Sequence, residues 1–183
     1  MGTGLTGLVF AELDSSADRS GLVNSALRAY DAHAMAVPHF FQSSEQTCGA
    51  ACLRMLLAGL GASHDEATIA HRCGLTPLGC TVQDLVSGAK ALGFNAALLP
   101  VFGEPAAIAA LSNETPFVAM IDLTSLTGQG PMFQWHFVVP LGTAQGEVTF
   151  HDPAEGPDRR AKLDDFLAAW ATAGYRGVRV WTP

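Results

Sequence analysis

Gln42-Ser-Ser-Glu-Gln-Thr-Cys48-Gly-Ala-Ala-Cys-Leu-Arg-Met-Leu-Leu57 is a polar loop that runs directly into an apolar-periodic segment. Cys48, Ala51, Cys52, Met55 and Leu56 recur at i, i+3 and i+4 steps, so they share one face of a helix. The spacing predicts a central, buried helix over residues 48–58, with Thr47 as its N-cap and Gly59 and Gly61 ending it. A cysteine in the first turn of a helix lies at the positive end of the helix dipole, which favours the thiolate. Gln42 stands six residues upstream and offers a side-chain N–H donor beside that thiol. Cys52 sits one turn further in and reads as core.

A reactive thiol needs a base, and the last third of the chain offers one. Residues 134–141 and 147–151 are strand-like, joined by a turn over residues 142–146 and closed by Asp152-Pro153. In an antiparallel hairpin, residues equally distant from the turn lie opposite each other. With the turn centred near Ala144, His136 and Asp152 become cross-strand partners. Their Cβ atoms are then expected roughly 4.5–5.5 Å apart, close enough for a carboxylate to orient an imidazole. Proline after Asp152 is tolerated because the ladder stops there. A helix N-terminus packed against the sheet edge would bring Cys48 to the ring. Trp135 and Phe137, which flank His136, read as core on the reverse face, and His151 alternates away from Asp152 as a structural residue. His39 and His64 have no assigned role.

The rest of the chain fills in around these two blocks. Helices are predicted over residues 20–36, from Ser63-His-Asp-Glu66 as a capping box to Arg72, from Thr81-Val-Gln-Asp84 to Leu92, over 105–111 and over 162–173. Strands are predicted over 94–101, 116–122 and 177–181, and Asp158-Arg-Arg160 reads as a solvated turn. Helices come first and a mostly antiparallel sheet second, which argues an α+β fold.

Bulk properties narrow the function classes. The chain has 183 residues, of which 49% are hydrophobic and 15% charged, enough for one domain with a real core. Ten basic residues against 17 acidic ones give a net charge of -7, which offers no nucleic-acid footprint. No apolar run reaches the ~18 residues of a membrane span. The N-terminus lacks a basic region before its short apolar stretch, so it does not read as a signal peptide. Met1-Gly2 with Thr6 fits the N-myristoylation pattern only loosely. Four cysteines form no CxxC pair, and a cytoplasmic chain with free thiols is expected. His64, His71, Cys73 and Cys80 lie close in sequence, but their spacing matches no standard zinc pattern. No metal or other cofactor is expected.

Gln42-x5-Cys48-Gly-Ala-Ala-Cys-Leu, Gly93-Phe-Asn, His136-Phe-Val-Val and Val148-Thr-Phe-His-Asp152-Pro together resemble the bacteriocin-processing peptidases. These are papain-like cysteine peptidases that cleave double-glycine leaders. The resemblance runs from about residue 37 to residue 181, leaving residues 1–36 as an N-terminal extension of short strand or coil plus helix. It implies a papain-like peptidase domain over residues 37–183. By position it implies Cys48 as nucleophile, His136 as base and acid, Asp152 as orienter and Gln42 as oxyanion donor. It further implies a peptide or precursor-protein substrate cut after a Gly-Gly type pair, and a separate ABC exporter as a possible partner. Residues 123–134 form a longer approach to His136 than the family pattern leads one to expect. Two other readings use the same residues. One is a peptide-binding module that keeps the cleft without turnover. The other is an acyl or peptidyl transferase, as in phytochelatin-synthase-like enzymes.

Overall fold

The computed structural model describes residues 36–183 apart from Glu114 and Met132. The helix predicted over residues 20–36 and the N-terminal extension therefore lie outside the described residues, save Ala36, which is not helical.

The elements run α1 (Cys48–Gly59), α2 (Glu66–Arg72), α3 (Val82–Ala91), β1 (Asn95–Leu98), α4 (Glu104–Ser112) and β2 (Val118–Asp122). Then come α5 (Leu123–Thr127), β3 (Trp135–Ala144), β4 (Glu147–Asp152), β5 (Gly156–Lys162), α6 (Leu163–Thr172) and β6 (Gly177–Trp181). Six strands form one sheet in the order β1-β6-β2-β3-β4-β5. Every pairing in it is antiparallel.

The core has two halves. Val118, Met120, Phe137, Val139 and Val178 pack with the apolar faces of α1, α2 and α3. Ala119, Ile121, Val138, Val148 and Phe150 pack with α4 and α6 around Trp170. Alternate residues of β2 serve alternate halves, which is why all five are buried. The helices thus lie on both sides of the sheet. Trp170 stacks on Phe117 and donates its indole N–H to the Arg176 carbonyl at 2.9 Å.

α1 forms where its apolar period predicts, but its start is not capped as expected. The Thr47 hydroxyl turns back to the loop, donating to the Ser44 carbonyl at 2.9 Å and accepting from Ser44 N–H at 3.1 Å. No side chain caps the helix. Gly49, the next residue after Cys48, touches β3 closely. A Cβ there would meet Leu85 and Phe137 at 3.2 Å, so glycine lets the N-terminal end of α1 settle against the sheet.

Several sequence expectations are corrected. α2 is capped by Asp65, whose carboxylate accepts from Thr68 N–H at 2.7 Å, and not by Ser63. Asp158-Arg-Arg160 lies in β5 and not in a turn. Its side chains are exposed on both faces of the edge strand, so no apolar alternation marks it in the sequence. The strand expected over 94–101 stops at Leu98, since Pro100 has no N–H to continue the ladder. Trp135 is half exposed, because β3 begins there and no second layer covers it, whereas Phe137 is buried. The helix start expected at Thr81-Val-Gln-Asp84 stands, and Thr81 and Asp84 form a capping box there.

The hairpin register also differs from its expectation. The turn is the two-residue Gln145-Gly146, both at positive φ (53° and 80°), the pattern of a type I′ turn. Ala144 then faces Glu147. Continued unbroken, that register would put Asp152 opposite Val139, on the reverse face from His136. A bulge between Pro140 and Gly142 inserts one residue, and beyond it Val139 faces His151. One step further Asp152 lies opposite Val138, diagonal to His136 and on its face. The two residues are therefore diagonal neighbours and not the directly opposed pair expected.

Candidate active site

β4 ends at Asp152, so β3 carries His136 past the last rung of the β3–β4 ladder. The loop from Gln42 docks at that end, its Gln42 N–H donating to the Pro153 carbonyl at 2.9 Å. This brings Cys48 to the His136 ring.

His136 and Asp152 are both buried. Asp152 Oδ1 accepts from His136 Nε2–H at 2.8 Å. The same oxygen accepts from Ala154 N–H at 2.8 Å and Glu155 N–H at 3.2 Å. This local turn holds the carboxylate in place, and aspartate before proline is well suited to form it. With Nε2 engaged, the other ring nitrogen is left for the Cys48 thiol, which is near enough to help raise the ring's pKa.

The electrostatics follow from this chain of contacts. Burial pushes the His136 pKa down, but the hydrogen bonds and charges of Asp152 and Cys48 outweigh it. The result is a pKa raised from 6.5 to about 9. Burial pushes Asp152 up, and the His136 hydrogen bond and charge, with the two backbone N–H donors, overcome it and leave it lowered. An imidazolium–carboxylate pair is thereby favoured at neutral pH. Cys52, fully buried one turn along α1, is the contrast, because burial holds its thiol well above the ordinary range.

Gln42 is placed less directly. Its side-chain amide donates to the Ser44 carbonyl at 2.8 Å, while its Oε1 is buried without a hydrogen-bond partner. An amide nitrogen carries two hydrogens, so one donor remains for another acceptor. Sequence reading missed the groups that hold this loop. Glu66, taken for a capping-box residue, accepts from Ser43 N–H at 3.0 Å and Ser43 Oγ–H at 2.6 Å. His39 and His151 contact the same end of the sheet. Only its burial in the folded chain sets Glu66 apart, and no sequence pattern carries that signal. A cavity of about 420 Å³ opens beside the loop, lined by Ser43, Thr47, Glu66 and His71 among others. Among the described residues, no cluster of histidine, cysteine and carboxylate side chains converges to hold a metal ion. None of the described helices is long and apolar enough to cross a membrane.

A buried helix beginning at a cysteine and packed on an antiparallel sheet that bears a histidine–aspartate pair defines a papain-like α+β fold. Within that class the chain belongs to the peptidase C39 family, whose sequence model matches residues 36–175. No curated protein matches the chain by sequence. Among solved structures, the peptidase domain of Streptococcus ComA, a bifunctional ABC transporter of a quorum-sensing pathway, is similar with a TM-score of 0.64. It is 18% identical, and the match covers 79% of this chain and 97% of that one. A double-glycine-motif protease from an AMS/PCAT transporter, solved with its leader peptide, is 20% identical at a TM-score of 0.64. That match covers 81% of this chain and 94% of the other. A C39-like peptidase from Bacillus anthracis is 18% identical at a TM-score of 0.65, covering 81% and 96%.

Proposed function

We propose that this chain is a cysteine peptidase that hydrolyses one peptide bond in a peptide or protein precursor, after a Gly-Gly type leader. The observation that carries the reading is the buried 2.8 Å His136–Asp152 hydrogen bond beside Cys48 at the uncapped start of α1. The leader class is supported by the double-glycine protease to which the chain is similar. The transporters to which that relative and the ComA domain belong support an ABC exporter as the partner that takes the released peptide.

In this reading the Cys48 thiolate attacks the scissile carbonyl and a C–S bond forms. The charge moves to the carbonyl oxygen, held by the Cys48 backbone N–H and the free donor of the Gln42 amide. The turned-away Thr47 hydroxyl fits this role, because it leaves the first N–H groups of α1 without a side-chain cap. His136 then gives its proton to the leaving amine as the C–N bond breaks, leaving a thioester. Water, deprotonated by His136, attacks the thioester. The acid product departs and the thiol is restored. Asp152 holds the ring orientation throughout and favours the imidazolium.

The test is incubation of wild type and Cys48→Ala with Gly-Gly leader peptides, read by mass spectrometry. Wild type is expected to release two fragments whose masses add to the substrate plus one water, and Cys48→Ala none. Cleavage retained by the alanine variant would end the mechanism.

A further inference from the structure

Residues 37–42 form a strap that meets the His136–Asp152 end of the sheet through two histidines the proposed chemistry does not use. His39 Nε2 lies 2.8 Å from the Asp152 carbonyl. His151 Nε2 lies 2.9 Å from the Val37 carbonyl. A carbonyl only accepts, so both nitrogens carry hydrogen and donate. His151 Nδ1 accepts from Asp158 N–H at 3.2 Å. The two rings meet edge to face at 5.5 Å, and His39 meets Phe41 in the same way at 4.7 Å. Gln42 N–H then donates to the Pro153 carbonyl. Three successive residues, His151, Asp152 and Pro153, thus each hold one point of the strap. Phe40 anchors its outer side beneath the Arg54 guanidinium of α1, 4.0 Å from the ring centre.

Asp152 is the shared member. Its carboxylate orients His136 and its carbonyl receives His39. One residue therefore fixes both the base and the loop that carries Gln42.

We propose that His39 is a positioning residue for the reaction: by tying the strap to the Asp152 carbonyl it sets Gln42 in register with Cys48 and His136. This rests on the oxyanion role proposed for Gln42. His39 touches no reacting atom. Its effect comes from geometry, since an oxyanion donor acts only when it lies at hydrogen-bond distance from the developing charge.

The experiment compares two rates at Cys48, each assigned by peptide mapping. Alkylation by iodoacetamide is a displacement that builds no oxyanion, and it reads the thiol and His136. Acylation by a peptidyl-Gly-Gly 4-nitrophenyl ester builds an oxyanion and reads Gln42 as well. His39→Leu keeps bulk and loses the donor. His39→Gln places an amide N–H where the ring N–H stood, and His39→Asn falls short of it. His39→Leu is expected to slow acylation roughly 10- to 100-fold, below the ~10²–10³ of a deleted oxyanion donor. Alkylation should stay within about twofold, and His39→Gln should recover most of the acylation rate. In a Gln42→Ala background, His39→Leu should change acylation no further. Equal loss of both rates, or full additivity with Gln42→Ala, would overturn the role of His39. A wild type that the ester does not acylate, or a Gln42→Ala that acylates as fast as wild type, would instead overturn the reading of Gln42 on which it rests. Should His39→Leu fail to fold, His39→Gln against His39→Asn makes the same comparison.

Discussion

At the scale of single residues, the site turns on one oxygen. Asp152 Oδ1 takes three donors, and through His136 it governs the ring that meets Cys48. Removing its charge tests the coupling. In Asp152→Asn, the His136 pKa is expected to fall from about 9, because burial is then opposed by Cys48 alone. Titration of the His136 ring by NMR reads this directly. Cleavage should fall at least roughly 10²-fold, the lower end of a general acid–base contribution. The stability consequence has a definite sign. A histidine raised above its unfolded 6.5 contributes stability that is fully present below that pH and is lost as pH rises through about 9. A lowered aspartate contributes above its unfolded 3.8 and loses that contribution as pH falls through its folded value. The stability gap between wild type and Asp152→Asn, measured by urea unfolding, should therefore be widest between about pH 4 and pH 6.5. A gap that keeps growing above pH 9 would contradict the pairing.

At the scale of elements, the bulge in β3 decides whether these residues meet. Pro140 interrupts a strand that reads as continuous, and it is tolerated because the β2 ladder has ended at Val138 and the bulge follows. Deleting Leu141 removes the inserted residue and leaves Val139 opposite His151, so Asp152 and His136 should stay on one face. Rapid alkylation of Cys48 at pH 6 is therefore expected to persist. Its fall to the level of an ordinary thiol, in a protein whose circular dichroism still reports sheet and helix, would show that the bend of the bulge, and not the register alone, sets the pairing. The hairpin also marks how far sequence reading could go. The strands, the turn region and the Asp-Pro stop were all legible from period and breaker residues. The turn centre and the inserted residue were not, because one residue of slip leaves the apolar pattern on either side unchanged. The structure brings His136 and Asp152 together, but as diagonal neighbours and not as the directly opposed pair expected.

At the scale of the molecule, the strap over residues 37–42 ties the chain before α1 to the sheet formed much later. The boundary expected at residue 37 leads to a prediction about truncation. Loss of residues 1–35 is expected to leave the melting temperature of the rest within about 2 °C, with Cys48 alkylation unchanged. Loss of residues 1–40 removes the Val37 and His39 hydrogen bonds and the Phe40 anchor. At about 1 kcal/mol per hydrogen bond and about 1 kcal/mol for the half-buried Phe40 ring, the melting temperature should drop about 8 °C. Differential scanning calorimetry of the two truncations checks this. An equal drop in both would place the domain boundary elsewhere.

The sequence by itself determined most of the elements and the side chains that the candidate site brings together. A thiol opening an apolar-periodic helix, a histidine in a buried strand and an aspartate stopping the next strand are local patterns, set by periods of 3.6 and 2 and by proline. Glu66 and His39 were legible only as a helix cap and an unassigned histidine, since their partners lie far along the chain or on its backbone. Tertiary structure alone decided the sheet order, the helices on both its faces, the bulge that aligns His136 with Asp152, and the hold of the strap on Gln42. Those depend on hydrogen bonds between distant backbone groups, and a backbone carbonyl looks the same in every residue of a sequence.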